Sequence, residues 1–283
     1  MKGRRVRFYP LSVLLISAGY ASYALSKAVF ILCAIPVALL LTPFPKAKAG
    51  VLRVLVHRYL GFFTRTWLPL LRVYRILEIT GLERARAAKP AVLVANHRSF
   101  MDAILLLGLL PGTGVVIKAR DTRQLTYALL ERHFDLVSLE RYSLNSVSSS
   151  LDRSRALLAA GRNLLVFPEG TRARSGRLQP FNRLAFQLAL ASGAPVWPVI
   201  VHSTCPFMAK VPDSIFPRGD NEFRIRFLDH ECPRPDDDAD SLCDRVHRRM
   251  AQELKILDAG TVWEKATMPG STLTHNDGRA NAR

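Results

Sequence analysis

Between residues 74 and 227 the apolar residues change period repeatedly, and this constrains the fold more than any other feature of the chain. Short apolar runs at 74–80, 91–95, 114–117, 136–139, 164–167, 196–201 and 223–227 read as strands. Helical periodicity fills most of the gaps. The stretches 147–160 and 183–192 end at Gly161 and Gly193, the residue type that takes the left-handed conformation closing a helix. Alternation of this kind predicts an α/β fold, a layered β-sheet flanked by helices. The Phe223-Arg-Ile-Arg-Phe227 alternation predicts a strand with one wet face near an edge. After an acidic, proline-containing loop at 233–240, Ser241 with Asp244 is expected to cap a last helix that buries Leu242, Val246, Met250, Leu254 and Leu257.

The N-terminal part reads differently. Two apolar runs, 10–25 and 28–42, are separated by Ser26 and Lys27, and each is shorter than the roughly 20 residues needed to cross a bilayer. One continuous helix would be too long, roughly 50 Å at 1.5 Å per residue. A cleaved signal is disfavoured because its apolar region should be only about 7 to 15 residues long. Basic residues stand on both sides, Lys2, Arg4, Arg5 and Arg7 before and Lys46, Lys48 and Arg53 after, whereas a single crossing should show an excess on one side. The expectation is a helical hairpin, re-entrant or twice-crossing, with both ends in the cytosol. Residues 51–75 then carry Arg53, Arg58, Arg65 and Arg72 near heptad spacing, with Leu52, Leu55, Phe62, Phe63, Trp67, Leu70 and Leu71 over the other faces. They read as an amphipathic interfacial helix, a role compatible with packing on the domain that follows.

The formal charge of +17 would ordinarily point to nucleic acid. Here many basic groups flank apolar runs, which points to membrane lipids with an anionic surface and argues against a nucleic-acid partner. The four cysteines, Cys33, Cys205, Cys232 and Cys243, show neither metal-type spacing nor a disulfide framework, and are expected to be thiols in a reducing compartment.

Two segments carry chemistry. Asn96-His-Arg-Ser-Phe-Met-Asp102 follows the strand run 91–95, so His97 emerges at a strand end, and a tight turn into a helix folds the Asp102 carboxylate back toward its imidazole. Such a carboxylate fixes the tautomer of a general base and stabilises the imidazolium it becomes. Ser99 is expected to cap the helix start; no Gly-x-Ser-x-Gly elbow surrounds it that would make it a nucleophile. The second segment follows the run 164–167: Pro168-Glu169-Gly170-Thr171-Arg172. Gly170 allows close backbone approach to a ligand, and Arg172 offers a fork for phosphate. Glu169 cannot meet an anion favourably and is expected to position Arg172 or a backbone turn. Arg174 and Arg177 flank the block as either solvated charges or headgroup contacts.

With these motifs the chain, from 73 to 201 and more weakly to 257, resembles the glycerolipid and lysophospholipid acyltransferases, 1-acylglycerol-3-phosphate acyltransferase-like. The resemblance implies that His97 and Asp102 are the catalytic pair and that Glu169, Gly170, Thr171 and Arg172 bind the acceptor phosphate. It also implies that Arg141, after the run 136–139, helps bind that phosphate, although the residues around 133–135 depart from the family pattern. The apolar block 196–200 with Pro198 also matches; Pro198 is open to a functional or a structural role. Asn96 supports the motif, and Lys118 is either an anion contact or a surface lysine. The implied reaction moves a fatty acyl group from a thioester, acyl-CoA or acyl carrier protein, to the hydroxyl of a lysophospholipid. Lysophosphatidic acid is the default acceptor; an amino-acid lipid or specialised metabolite is the alternative, as is a hydrolase using the same pair on water. No metal or prosthetic group is expected. The organisation expected is an N-terminal hydrophobic helical membrane anchor at 1–49, an amphipathic helix at 50–76, the catalytic domain at 77–258 on the cytosolic face, as at a bacterial inner membrane, and a disordered tail at 259–283.

Overall fold

The computed structural model describes residues 9–88, 90–118, 135–139, 144–173, 177–211, 214–216 and 220–266. Its centre is a seven-stranded sheet in the order β1-β7-β6-β2-β5-β3-β4. The strands are β1 (Arg75–Thr80), β2 (Val92–Ala95), β3 (Gly114–Lys118), β4 (Leu136–Leu139), β5 (Leu164–Val166), β6 (Val196–Ser203) and β7 (Glu222–Phe227). Strands β6, β2, β5, β3 and β4 run parallel; β7 is antiparallel to β6 and carries β1 parallel to itself.

The central strands are buried on both faces because helices cover both. In β2, Leu93 and Ala95 face one apolar layer and Val92 and Val94 the other, the period of two that a strand imposes. The first layer holds α1 (Tyr9–Leu40), α2 (Pro45–Phe62), α3 (Leu68–Leu70), α4 (Leu82–Ala87) and α5 (Met101–Leu109). The second holds α6 (Leu144–Ala159), α7 (Leu184–Ser192) and α8 (Ala239–Asp258), with Phe186, Met250 and Leu254 buried among them; α9 (Val262–Ala266) follows α8. The expected α/β sheet and its strands are therefore present. The Phe223–Phe227 strand lies one place inside the edge, which β1 takes.

Four expectations need correction. The break expected at Ser26-Lys27 is absent: α1 is one helix of 32 residues, because Ser26 returns its hydroxyl to the Tyr23 carbonyl and meets Tyr59 of α2 at 2.9 Å. The hairpin forms instead at 41–44, before Pro45 at the first turn of α2. The amphipathic helix begins at Pro45, passes through a π-helical turn (Phe63–Trp67) and ends at Leu70. It packs on the domain, burying Leu52, Val56, Leu60 and Phe63. At its crossing with α5 a Cβ on Gly61 would stand 3.0 Å from the Gly108 carbonyl oxygen, so the two helices meet backbone to backbone. The capping box of α8 uses Asp238 and Ser241, not Ser241 and Asp244, because the helix starts one turn earlier. Finally, residues 259–266 are not part of a disordered tail, since they carry α9 and Trp263 is completely buried; residues 267–283 lie outside the described residues.

Candidate active site

The parallel strands β2, β5 and β3 end together, and the loops leaving β2 and β5 form the site. Asn96 fixes where β2 stops. Its side chain accepts the Val201 amide at 2.8 Å and donates to the Val201 carbonyl at 2.9 Å, continuing the ladder to β6 with a side chain where the backbone has turned away. His97 is then released at the sheet end. Its ring stacks on Phe167, the residue after β5, with centroids 4.2 Å apart.

Asp102 is the second residue of α5 and only 1% exposed, and a single oxygen of its carboxylate organises the loop. Oδ2 accepts the backbone amides of Arg98 at 2.8 Å and Ser99 at 2.7 Å, and lies 3.2 Å from His97 Nδ1. The two amides compensate the desolvation of a buried carboxylate, and its position in the first turn of α5 favours the negative charge. The bond to Asp102 assigns the proton to Nδ1, which leaves Nε2 as the basic nitrogen. Ser99 does not present its hydroxyl for catalysis: Oγ donates to the Phe207 carbonyl at 2.6 Å and accepts the Met101 amide.

The loop after β5 is sewn to the first. Glu169 accepts the His97 amide through Oε1 at 2.7 Å and the Gln179 amide through Oε2 at 3.0 Å, while the His97 carbonyl accepts the Ala173 amide at 2.8 Å. Of the two roles open to Glu169, holding Arg172 or a backbone turn, the geometry shows the second. Burial lifts its pKa to about 7 against the pull of the two amides. Gly170 has φ 64°, in the left-handed region that a Cβ would strain, and its amide closes a turn onto the Phe167 carbonyl at 3.0 Å. Arg172 Nη1 donates to the Met208 carbonyl at 2.8 Å, and Thr171 Oγ1 accepts from Lys210 Nζ at 2.7 Å.

Pro198 sits in an interior strand rather than at an edge, pairing with Val94 of β2. Its missing N–H is tolerated because on the β7 side it falls between the end of β7 at Phe227 and the isolated Val196–Glu231 bridge. The backbone of Lys118 ends β3 beside β4, and its side chain lies outside the described residues, as do Arg141 and Arg174. Among the described residues no three His, Cys, Asp or Glu side chains converge as a metal site requires.

Sequence reasoning missed several members of this constellation. Gln179 and the 207–210 loop touch the motifs only through the fold, and Phe167 heads the second motif without its stacking on His97 being legible there. Arg98 was visible inside the motif, but nothing in its spacing announces its partner 160 residues away.

Residues 76–202 match the family model described as Acyltransferase. The chain is 31% identical over 181 residues to the chloroplastic 1-acyl-sn-glycerol-3-phosphate acyltransferase BAT2 of Brassica napus, covering 64% of this chain and 51% of that protein. It is 29% identical over 176 residues to the human 1-acyl-sn-glycerol-3-phosphate acyltransferase alpha, covering 62% of each. The chain thus spans only about half to three fifths of the length of these curated relatives. Among solved structures, the 1-acyl-sn-glycerophosphate (LPA) acyltransferase PlsC of Thermotoga maritima shares the fold, with a TM-score of 0.68 at 19% identity over 88% of this chain and 96% of that one. The region that carries the His97–Asp102 pair thus matches the Acyltransferase family model and is similar in sequence to 1-acylglycerol-3-phosphate acyltransferases, and the chain shares the fold of PlsC.

Proposed function

We propose that this protein is a membrane-associated O-acyltransferase that moves a fatty acyl group from a thioester, acyl-CoA or acyl carrier protein, to the free hydroxyl of 1-acylglycerol-3-phosphate, giving phosphatidic acid. The observation that carries the reading is the single Asp102 oxygen shared by His97 Nδ1 and two backbone amides, which leaves Nε2 as a base of fixed tautomer at a strand end. Nε2 takes the acceptor hydroxyl proton as the oxygen attacks the thioester carbonyl. Asp102 stabilises the resulting imidazolium. Collapse of the tetrahedral intermediate breaks the carbon–sulfur bond, and the imidazolium returns the proton to the departing thiolate.

Arg172 and Thr171 supply the acceptor subsite, and by resemblance Arg141 joins them. The turn that carries Arg172 hydrogen-bonds the backbone of His97 itself, so a phosphate held there sits beside the base. That proximity favours a transferase over a hydrolase, because the anion contact is useful only if an acceptor has to be held. The curated relatives named for lysophosphatidic acid acylation support this acceptor.

The membrane supplies the lysophospholipid acceptor and takes up the product. In α1, residues 10–40 are long and apolar enough to cross a bilayer by length and composition, the most apolar stretch of 18 residues having a mean hydropathy of 2.1. One stripe, Ser12, Ile16 and Gly19, is buried against the protein, while Leu14, Leu25, Leu32, Leu39 and Leu40 are exposed. We place the catalytic domain on the cytosolic face, where acyl thioesters are made. The deciding experiment is thiol release and product analysis with acyl-CoA or acyl carrier protein donors against a panel of lysolipids. Phosphatidic acid formed only with 1-acylglycerol-3-phosphate is the expected result; release of free fatty acid without acceptor would mean a hydrolase.

A further inference from the structure

The catalytic loop has a second anchor, and it comes from outside the family-matched residues. Arg98, between His97 and Ser99, is 3% exposed, and its guanidinium forms a two-pronged ion pair with Asp258, Nη1 to Oδ1 and Nη2 to Oδ2 at 2.7 Å each. Asp258 is the last residue of α8. Just beyond it, Trp263 places its ring 4.8 Å from the Arg98 guanidinium carbon and donates its indole N–H to the Ser203 carbonyl at 2.6 Å. His202 completes the enclosure, with Nε2 3.3 Å from Asp258 Oδ1 but not aligned for a full hydrogen bond.

A buried ion pair is a weak source of stability, since an apolar pair of similar volume often serves as well. What the fork provides is direction. The backbone amide of Arg98 is one of the two that load Asp102 Oδ2, so holding its side chain fixes the amide that orients the His97 partner. We propose that Arg98 is a positioning residue for the His97–Asp102 pair and that the turn 258–263 belongs to the scaffold of the active site through it. The inference rests on the acyl-transfer reading of that pair.

The test uses the full chain in detergent with palmitoyl-CoA and 1-acylglycerol-3-phosphate, comparing Arg98→Met, the double variant Arg98→Met with Asp258→Met, Asp258→Asn and His97→Ala. Arg98→Met strands a buried carboxylate and should lower Tm, whereas the double variant should recover it. Turnover should not recover: kcat of the double variant is expected to stay about 10 to 100-fold down, with acceptor KM within about 3-fold of the parent, the signature of a misplaced base and not of a lost binding contact. Amide hydrogen exchange over 97–102 should also accelerate. Recovery of kcat together with Tm would overturn the proposal, as would unchanged exchange. Should the double variant not fold, the nearly isosteric Asp258→Asn decides: folded protein with parental kcat overturns the proposal, and a reduced kcat at unchanged KM supports it. An active His97→Ala would defeat the acyl-transfer reading itself; an inactive one alongside fully active Arg98 variants would defeat only the positioning role.

Discussion

The loops after β2 and β5 each hang from one buried carboxylate, but they are built in opposite ways. Asp102 binds its own loop: every donor to it lies within five residues, at His97, Arg98 and Ser99. Glu169 binds at a distance, taking the His97 amide 72 residues back and the Gln179 amide ten residues on. The first carboxylate sets the His97 side chain; the second fixes the turn that carries Arg172 against the His97 backbone. The first device draws its donors from its own loop, whereas the bridging device works only once two strands have been laid side by side in the sheet.

The largest effect should come from the local device. Replacing His97 by Ala is expected to reduce turnover by about 10² to 10⁴, and Asp102→Asn to be comparably damaging. The double variant should be little worse than either single one, because the two act as a unit. Additive losses in a steady-state assay would break the view that one Asp102 oxygen organises the loop.

The bridging device should show itself in stability. The folded pKa of Glu169 is raised to about 7 from an ordinary value of 4.5, so below pH 4.5 the carboxyl is protonated in both states and burial costs nothing extra. As pH rises through 4.5 to 7 the folded protein holds a proton that the unfolded chain has lost, and stability falls, by about 3 kcal/mol at most. Thermal unfolding of the parent against Glu169→Gln over this window should reveal the difference as a pH slope that the variant lacks. Equal slopes would mean that Glu169 is ionised throughout.

Arg172→Ala should raise the acceptor KM by about 10 to 100-fold while donor KM changes little, since a charge-assisted phosphate contact is worth about 1.5 to 3 kcal/mol. Equal change in both constants would show that Arg172 serves the 207–210 loop, through Met208, more than the acceptor. The smallest effect on rate belongs to Ser99. Its removal by Ser99→Ala leaves the Phe207 carbonyl short of a donor and should cost about 1 to 3 kcal/mol of stability, with transfer retained in the folded fraction. Complete loss of transfer in folded protein would revive an acylated serine.

The two loops also differ in how they read in the sequence. His97 and Asp102 are legible from a spacing of five after a strand-like run, because a helix start returns a side chain to the turn before it and that geometry is local. Ser99 reads as the cap of α5, but the cap position is Phe100 with no side-chain bond, and the Ser99 hydroxyl instead ties the Met101 amide to the Phe207 carbonyl, a partner the sequence does not show. Glu169 was legible as a residue out of place in an anion cradle, but its partners were not. Arg98 went unread because its partner stands at the far end of α8, and the stretch from 259 reads as tail when Trp263 cannot be seen against its buried surroundings. The N-terminal runs were misread for a related reason: Ser26 and Lys27 look like a break in a one-dimensional pattern, and only the neighbouring Tyr59 shows that the helix continues past them.

What the sequence determined by itself was everything set by period and by short-range geometry. The alternating apolar runs fixed a layered sheet with helices on both faces, because each strand had two faces to bury. The motif spacings placed His97, Asp102 and the Glu169–Arg172 block at strand ends. Tertiary structure alone decided which strand ends are neighbours, that Glu169 ties them, that Asn96 extends the ladder to β6 and that the last helix reaches back to Arg98. Those contacts join residues far apart in the chain, and the burial that gives a hydrogen bond or an ion pair its strength exists only after the sheet and its two helical layers have closed around them.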